Sequence, residues 1–186
     1  KKKYFQDISF VNAGSGKSAH PTQALLDFYT LKKHFMDLKG KTVTIVGDIA
    51  HSRVAKSDIE IFKKANMNIR CLSDDIFMGE KIEGVEYFNS LKEAFEEADI
   101  IMPLRIQKER IEEKINFSEY IEKFQITKEN LPYAAVLMHP GPINRDIEIR
   151  SDVLETQNAR TILNQARNGV FVRMAVLDMI LSSQGY

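Results

Sequence analysis

The chain has 186 residues, 44% of them hydrophobic, with Lys plus Arg and Asp plus Glu both at 26 and a formal net charge of zero. Such a chain can bury roughly 70% of the surface its unfolded form exposes, which argues against disorder, and its balanced charge provides no net field to hold nucleic acid or an anionic membrane. A single cysteine, Cys71, rules out an internal disulfide or a cysteine-rich zinc site; with no apolar run near a membrane span and no signal-peptide core after Lys1-Lys2-Lys3, the chain reads as cytoplasmic.

Residues 8–11 read as a short extended segment ending in the loop 12–16. Residues 21 to about 35 read as a helix with Pro at its first position. Residues 42–46 have the continuous apolar character of a buried strand, and 53–65 follow as a helix with Ala55, Ile59 and Phe62 along one face. A second strand is expected at 69–72, a short helix at 91–98, a strand at 100–104 and another at 134–138. The last helix, roughly 158–181, carries Ile162, Ala166, Val170, Met174, Leu177 and Leu181 on one stripe. Phe171, Val172, Val176 and Ile180 make it apolar nearly all round after Gly169. It needs cover on more than one side, as does helix 21–35 with Leu25, Leu26, Phe28, Tyr29 and Leu31. Either a part of the protein outside this sequence covers them, or they are the two central helices of one compact domain. Strands separated by helices cannot be hairpins. The predicted fold is therefore α/β, a three-layer, doubly wound, mostly parallel sheet with helices on both faces and ligands at the strands' carboxyl ends.

Several short motifs fall at those ends. Gly14-Ser15-Gly16-Lys17-Ser18 closes the phosphate-loop pattern, but Val11 stands at its first glycine and Ala19-His20-Pro21 interrupts the turn, so a flexible surface loop is the better reading. His20 and Gln23 occupy the N-cap and third positions of a helix. They either cap it, Gln23 reaching back as in a capping box, or face a small polar substrate from a helix N-terminus. In the second case the imidazole donates to a carbonyl oxygen gaining negative charge, and the amide oxygen accepts an amide N–H. Arg53, in the first turn of its helix, opposes the macrodipole and needs compensation. A bound carboxylate or phosphate would supply it, with Asp48 orienting the site from behind; the alternative is a salt bridge to Asp48 or another acid. Arg105 and Gln107 lie two apart after an apolar strand, so both face one side and suit a carboxylate. Lys108-Glu109-Arg110 and Glu112-Glu113-Lys114 read as a solvated charged loop. His139-Pro140-Gly141-Pro142 ends a strand with two residues lacking N–H, which leaves carbonyls displayed, or is a tight loop and nothing more. A cis peptide before Pro142 fits either.

Asn12-Ala13-Gly14, the run from Ala19 through Asp27, Gly47-Asp48-Ile49, His51-Ser52-Arg53, the run from Arg105 through Arg110, Met138 through Pro142 and Asn168-Gly169-Val170 together resemble the catalytic chain of aspartate carbamoyltransferases. The resemblance runs nearly end to end, with Ser15 where the family often has Asp. It implies two α/β domains, of which this sequence is similar to the second and the bridging helices. Residues 1–35 would be a connecting segment and inter-domain helix, 36–157 a Rossmann-like aspartate-binding α/β domain, and 158–186 a C-terminal helix packing on a carbamoyl-phosphate domain. That domain, with its Ser-Thr-Arg-Thr phosphate motif and the Ser and Lys lent by a neighbouring subunit, is expected outside this sequence, which puts independent catalysis in doubt.

By the same resemblance His20, Arg53 and Arg105 are catalytic. His20 would bond the carbamoyl oxygen, while Gln23 and carbonyls around Pro140, Gly141 and Pro142 fix the carbamoyl amino group. Arg53, Arg105 and Gln107 would hold the two carboxylates of aspartate as its neutral amine attacks and phosphate leaves. No metal or cofactor is implied; catalysis is positioning plus charge stabilisation. The implied partners are carbamoyl phosphate and L-aspartate, with N-carbamoyl-L-aspartate, an early pyrimidine precursor, as product and a homotrimer in the full-length family. Regulatory chains or another pyrimidine enzyme are left open. The alternatives are a non-catalytic aspartate-binding module and an ornithine-type carbamoyltransferase. Against the latter stand His139-Pro140-Gly141-Pro142 in place of that family's His-Cys-Leu-Pro, and the cluster Arg105, Lys108 and Arg110, which would repel a side-chain ammonium.

Overall fold

The computed structural model describes residues 8–16, 18–106 and 117–183. Strands Thr42–Val46 (β1), Asn68–Leu72 (β2), Glu86–Phe88 (β3), Ile100–Pro103 (β4) and Val136–Leu137 (β5) form one sheet in the order β3-β2-β1-β4-β5, every neighbouring pair parallel. The described helices are Pro21–His34 (α1), Arg53–Lys64 (α2), Asp75–Met78 (α3), Leu91–Phe95 (α4), Phe117–Phe124 (α5) and Arg160–Ser183 (α6), with a 3-10 turn at Ser151–Glu155.

Because side chains alternate along a strand, β1 feeds two cores. Val43 and Ile45 pack with Leu31, Ile59 and Phe62 on one face, and Val46 packs with Phe77, Phe95 and Phe124 on the other. Burial on both faces explains the largely apolar character of β1 and β4. Thr44, fully buried in β1, is satisfied by donating to the Ala94 carbonyl at 2.7 Å. This is the expected three-layer, doubly wound α/β arrangement.

Residues 8–11, read as an extended segment, join no strand of the sheet, and Ile8, Phe10 and Val11 are exposed. Three local expectations need correction. β5 keeps two of the five residues expected at 134–138, because Ala135 donates its N–H to Pro132 in a turn. Helix 91–98 stops at Phe95, with Glu97 in the left-handed region at φ 55°. Nor are the last and first helices the covered centre of a compact domain. α6 buries Thr161, Gln165, Asn168 and Gly169 but exposes Val170, Phe171, Met174, Leu177, Met179 and Leu181, while α1 exposes Leu25 and Tyr29. No helix among the described residues is long and apolar enough to cross a membrane.

From β1 the chain passes to β2 on one side, and β4 opens the other side of the sheet. The order therefore reverses between β1 and β4, and their carboxyl ends leave a crevice there.

Candidate active site

A cavity of about 230 Å³ occupies that crevice. Its wall is His20 and Gln23 from the start of α1, Ser52, Arg53 and Val54 from the start of α2, Leu104 and Arg105 beyond β4, and Pro140, Gly141 and Pro142 beyond β5. Gln107 lies outside the described residues, as do Lys108 and Arg110.

The turn from β1 to α2 delivers Arg53. Gly47 has φ 110°, and a Cβ there would stand 2.9 Å from the Tyr120 hydroxyl and 3.1 Å from the Leu104 carbonyl, so the close approach of the two strand ends requires glycine. Fully buried Asp48 accepts from the His51 backbone N–H at 3.2 Å and pairs with His51 Nδ1 at 2.7 Å, closing the turn. Ser52 caps α2 by accepting from the Ala55 N–H at 3.1 Å. Arg53 then begins the helix. The salt bridge to Asp48 weighed above is not formed, and among the described residues no carboxylate pairs with Arg53. Its guanidinium lies instead against Gly14, where a Cβ would come within 2.8 Å of Nη1.

The capping alternative for His20 and Gln23 is also overturned. The His20 side chain makes no cap bond, and its backbone N–H, the group a capping box would occupy, donates to Ser57 Oγ at 2.9 Å. Gln23 turns its amide nitrogen to Asp27, at 3.0 and 3.2 Å from the two carboxylate oxygens. Gln23 Oε1 accepts no hydrogen bond among the described residues and is left for the cavity. Burial, reinforced by the charges of Arg53 and Arg173, holds the His20 imidazole below the usual histidine pKa and favours its neutral form. A neutral ring offers one N–H donor without adding charge.

The Gly141–Pro142 peptide is cis, as expected. The Gly141 N–H donates to His139 Nδ1 at 2.9 Å, which leaves the ring proton on Nε2, 3.5 Å from Glu148 Oε1. Fully buried, His139 braces the loop from behind. Among the described residues the carbonyls of Pro140, Gly141 and Pro142 accept no hydrogen bond, so they are available as acceptors.

Sequence reasoning missed the layer behind the wall. Gln165 of α6 donates through Nε2 to Asp27 at 2.5 Å and accepts the His139 backbone N–H at 3.0 Å, tying the start of α1 to the loop beyond β5. Two signals were present: the i,i+4 spacing of Gln23 and Asp27, and amides at 165 and 168 inside an apolar helix. Chemically, the wall presents two guanidinium groups, a neutral imidazole, an amide oxygen and free carbonyls, with no carboxylate among its described residues. It suits an anion that also carries N–H groups. Among the described residues no group of three His, Cys, Asp or Glu side chains is placed to hold a metal ion.

Residues 39–180 match the family described as aspartate/ornithine carbamoyltransferase, Asp/Orn binding domain. The chain is 44% identical over 180 residues to the aspartate carbamoyltransferase catalytic subunit of Thermus aquaticus, an alignment covering 94% of this chain and 59% of the relative. The catalytic subunit of M. jannaschii aspartate transcarbamoylase is similar with a TM-score of 0.78 at 27% identity, over 92% of this chain and 58% of that one. Ornithine carbamoyltransferase from Thermus thermophilus gives 0.73 at 25% identity, over 87% and 55%. The chain thus spans less than three fifths of the length of these relatives. A family match over most of its length and a relative of this identity lead to one assignment: the chain belongs to the aspartate/ornithine carbamoyltransferase family, through its Asp/Orn-binding domain.

Proposed function

We propose that this chain is the aspartate-binding half of an aspartate carbamoyltransferase, which joins carbamoyl phosphate and L-aspartate into N-carbamoyl-L-aspartate and releases phosphate. The observation that carries this reading is the convergence of Arg53 and Arg105 on one cavity with His20, Gln23 and the 140–142 loop. Arg53 and Arg105, with Gln107, hold the two carboxylates of aspartate. The neutral His20 imidazole donates to the carbamoyl oxygen as negative charge gathers there, and Gln23 Oε1 and the loop carbonyls accept the carbamoyl N–H groups. The aspartate nitrogen bonds to the carbamoyl carbon while the C–O bond to phosphate breaks, and the departing phosphate oxygen takes the bonding pair and the proton that the nitrogen gives up. Asp48 supports the site through the turn that leads to Arg53. A wall with two cations and no described carboxylate favours aspartate over a substrate with a side-chain ammonium, and the aspartate-type relative at 44% identity points the same way.

In this reading residues 36–157 form the aspartate domain, and 1–35 and 158–186 lead to a carbamoyl-phosphate domain. The exposed apolar side chains of α1 and α6 support that docking. Homotrimeric assembly and a cytoplasmic setting belong to the same reading and rest on the family resemblance and the composition. The test is N-carbamoyl-aspartate formation from saturating carbamoyl phosphate and aspartate, with Arg53→Ala as control. Turnover lost in the variant supports a working site in this chain. No turnover with aspartate still bound favours a binding module. Turnover of ornithine and not of aspartate overturns the proposal.

A further inference from the structure

Asp27 on α1 and Asp58 on α2 are both fully buried, on two helices that pack against each other, and each carboxyl group acts on the other electrostatically. The chemistry proposed above uses neither. Both oxygens of Asp27 already face the Gln23 amide nitrogen, and Oδ1 also accepts from Gln165. The two oxygens of Asp58 meet no donor among the described residues. Charged and titratable groups on the neighbouring elements are engaged elsewhere. His20 and Arg53 face the cavity from the starts of α1 and α2, Arg173 of α6 acts on His20, and His139 faces Glu148. Among the described residues no cation pairs with either aspartate. Two ionised carboxylates there would set charge against charge in a dry interior, which like-charged buried pairs avoid by retaining a proton.

We propose that Asp27 and Asp58 share one proton, carried by Asp58 and donated to Asp27, and that this proton sets the direction of the Gln23 and Gln165 amides, making both aspartates positioning residues for the cavity. The functional part rests on the reading of the cavity given above.

The donors around Asp27 place the proton. An O–H on Asp27 would point into the N–H groups of Gln23 or Gln165, whereas an O–H on Asp58 meets an open acceptor. Burial raises the pKa of both groups; the charge of Asp27 raises that of Asp58 further, whereas the Gln165 and Gln23 amides lower that of Asp27. With Asp27 ionised, Gln23 must turn its NH2 inward, which leaves Oε1 at the cavity wall. Gln165 must do the same, which leaves its Oε1 for the His139 N–H. One proton thus fixes an acceptor in the wall and the start of the 139–142 loop. The folded chain keeps this proton above about pH 4, where unfolded aspartate loses it. The pair's contribution is therefore full below that value and is lost as pH rises through the raised folded value.

The test is thermal unfolding of the full chain between about pH 5 and about pH 8, together with the infrared carbonyl band of a protonated carboxyl group at neutral pH. Wild type is expected to lose several degrees of Tm across the window and to show the band. Asp58→Asn carries a permanent N–H donor at the same place. It is expected to fold, to lose the band and to flatten the pH slope. Asp27→Asn sets an amide among amide donors and is expected to lower Tm throughout. Absence of the band in wild type, or a pH slope unchanged in Asp58→Asn, overturns the proposal, as does equal damage from the two Asn variants. These readouts need no ligand or turnover. A shared proton in a chain that binds no aspartate would count against the proposed function alone.

Discussion

The first half of α6 buries polar side chains on one face, whereas its second half exposes apolar ones. Up to Gly169 the helix meets α1 through amides with defined partners: Gln165 on Asp27 and His139, and Asn168 on Thr30 at 3.0 Å. A buried polar group costs about 1–3 kcal/mol if left unpaired, and here the amides find partners that tie α6 to α1 and to the loop beyond β5. Beyond Gly169 six large apolar side chains face outward. In the proposed reading that surface packs on the carbamoyl-phosphate domain. The two halves of one helix thus differ: the first is tied to α1 and the 139–142 loop, and the second leaves apolar side chains open.

The sharpest way to break the first half is Gln165→Leu, which leaves both Asp27 and the His139 N–H short of a partner. A loss of about 2–4 kcal/mol in urea unfolding is expected, and a loss below about 1 kcal/mol would mean that the amide bonds do not hold the helix in place. On the second half, Met174→Glu with Leu177→Lys should change the stability of this chain by no more than about 0.5 kcal/mol per site and should reduce its self-association in sedimentation. A larger loss would show that these side chains are already covered in solution. The smallest effect links the halves electrically. Arg173, just past Gly169, and Arg53 both lower the His20 pKa, so each Arg→Ala change should raise the His20 titration midpoint seen by NMR, Arg53→Ala more than Arg173→Ala. The stability held by neutral His20 is present at neutral pH and is lost as pH falls through its lowered folded value. A midpoint indifferent to both changes would remove the arginines from the field at His20.

What the sequence revealed follows from what each residue touches. β1 and β4 lie inside the sheet and are buried along their whole length, so they stand out in the sequence, whereas β2, also inside the sheet, is interrupted by Arg70. β3 lies at the edge, is three residues long and carries an exposed Glu86, and so it has no comparable run. α3, with four residues, is too short for a helical period. The motifs could be read because strand ends and helix starts are local features, and the fold brings His20, Gln23, Arg53, Arg105 and Pro140 through Pro142 to one wall. The direction of Gln23 could not be read. Local capping chemistry favours one rotamer, and Asp27, itself tied to Gln165 on a helix 138 residues away, imposes another. Arg53 was ambiguous for the same reason: its possible partner Asp48 is engaged by His51, a preference that only the closed turn reveals.

The measurement closest to the central claim is calorimetric binding of L-aspartate to the chain, compared with Arg53→Ala and Arg105→Ala. Each variant is expected to bind tenfold or more weakly, on the order of 1.4 kcal/mol, with ornithine not competing. Unchanged affinity in both variants, or displacement of aspartate by ornithine, would contradict the assignment of this cavity to a dicarboxylate.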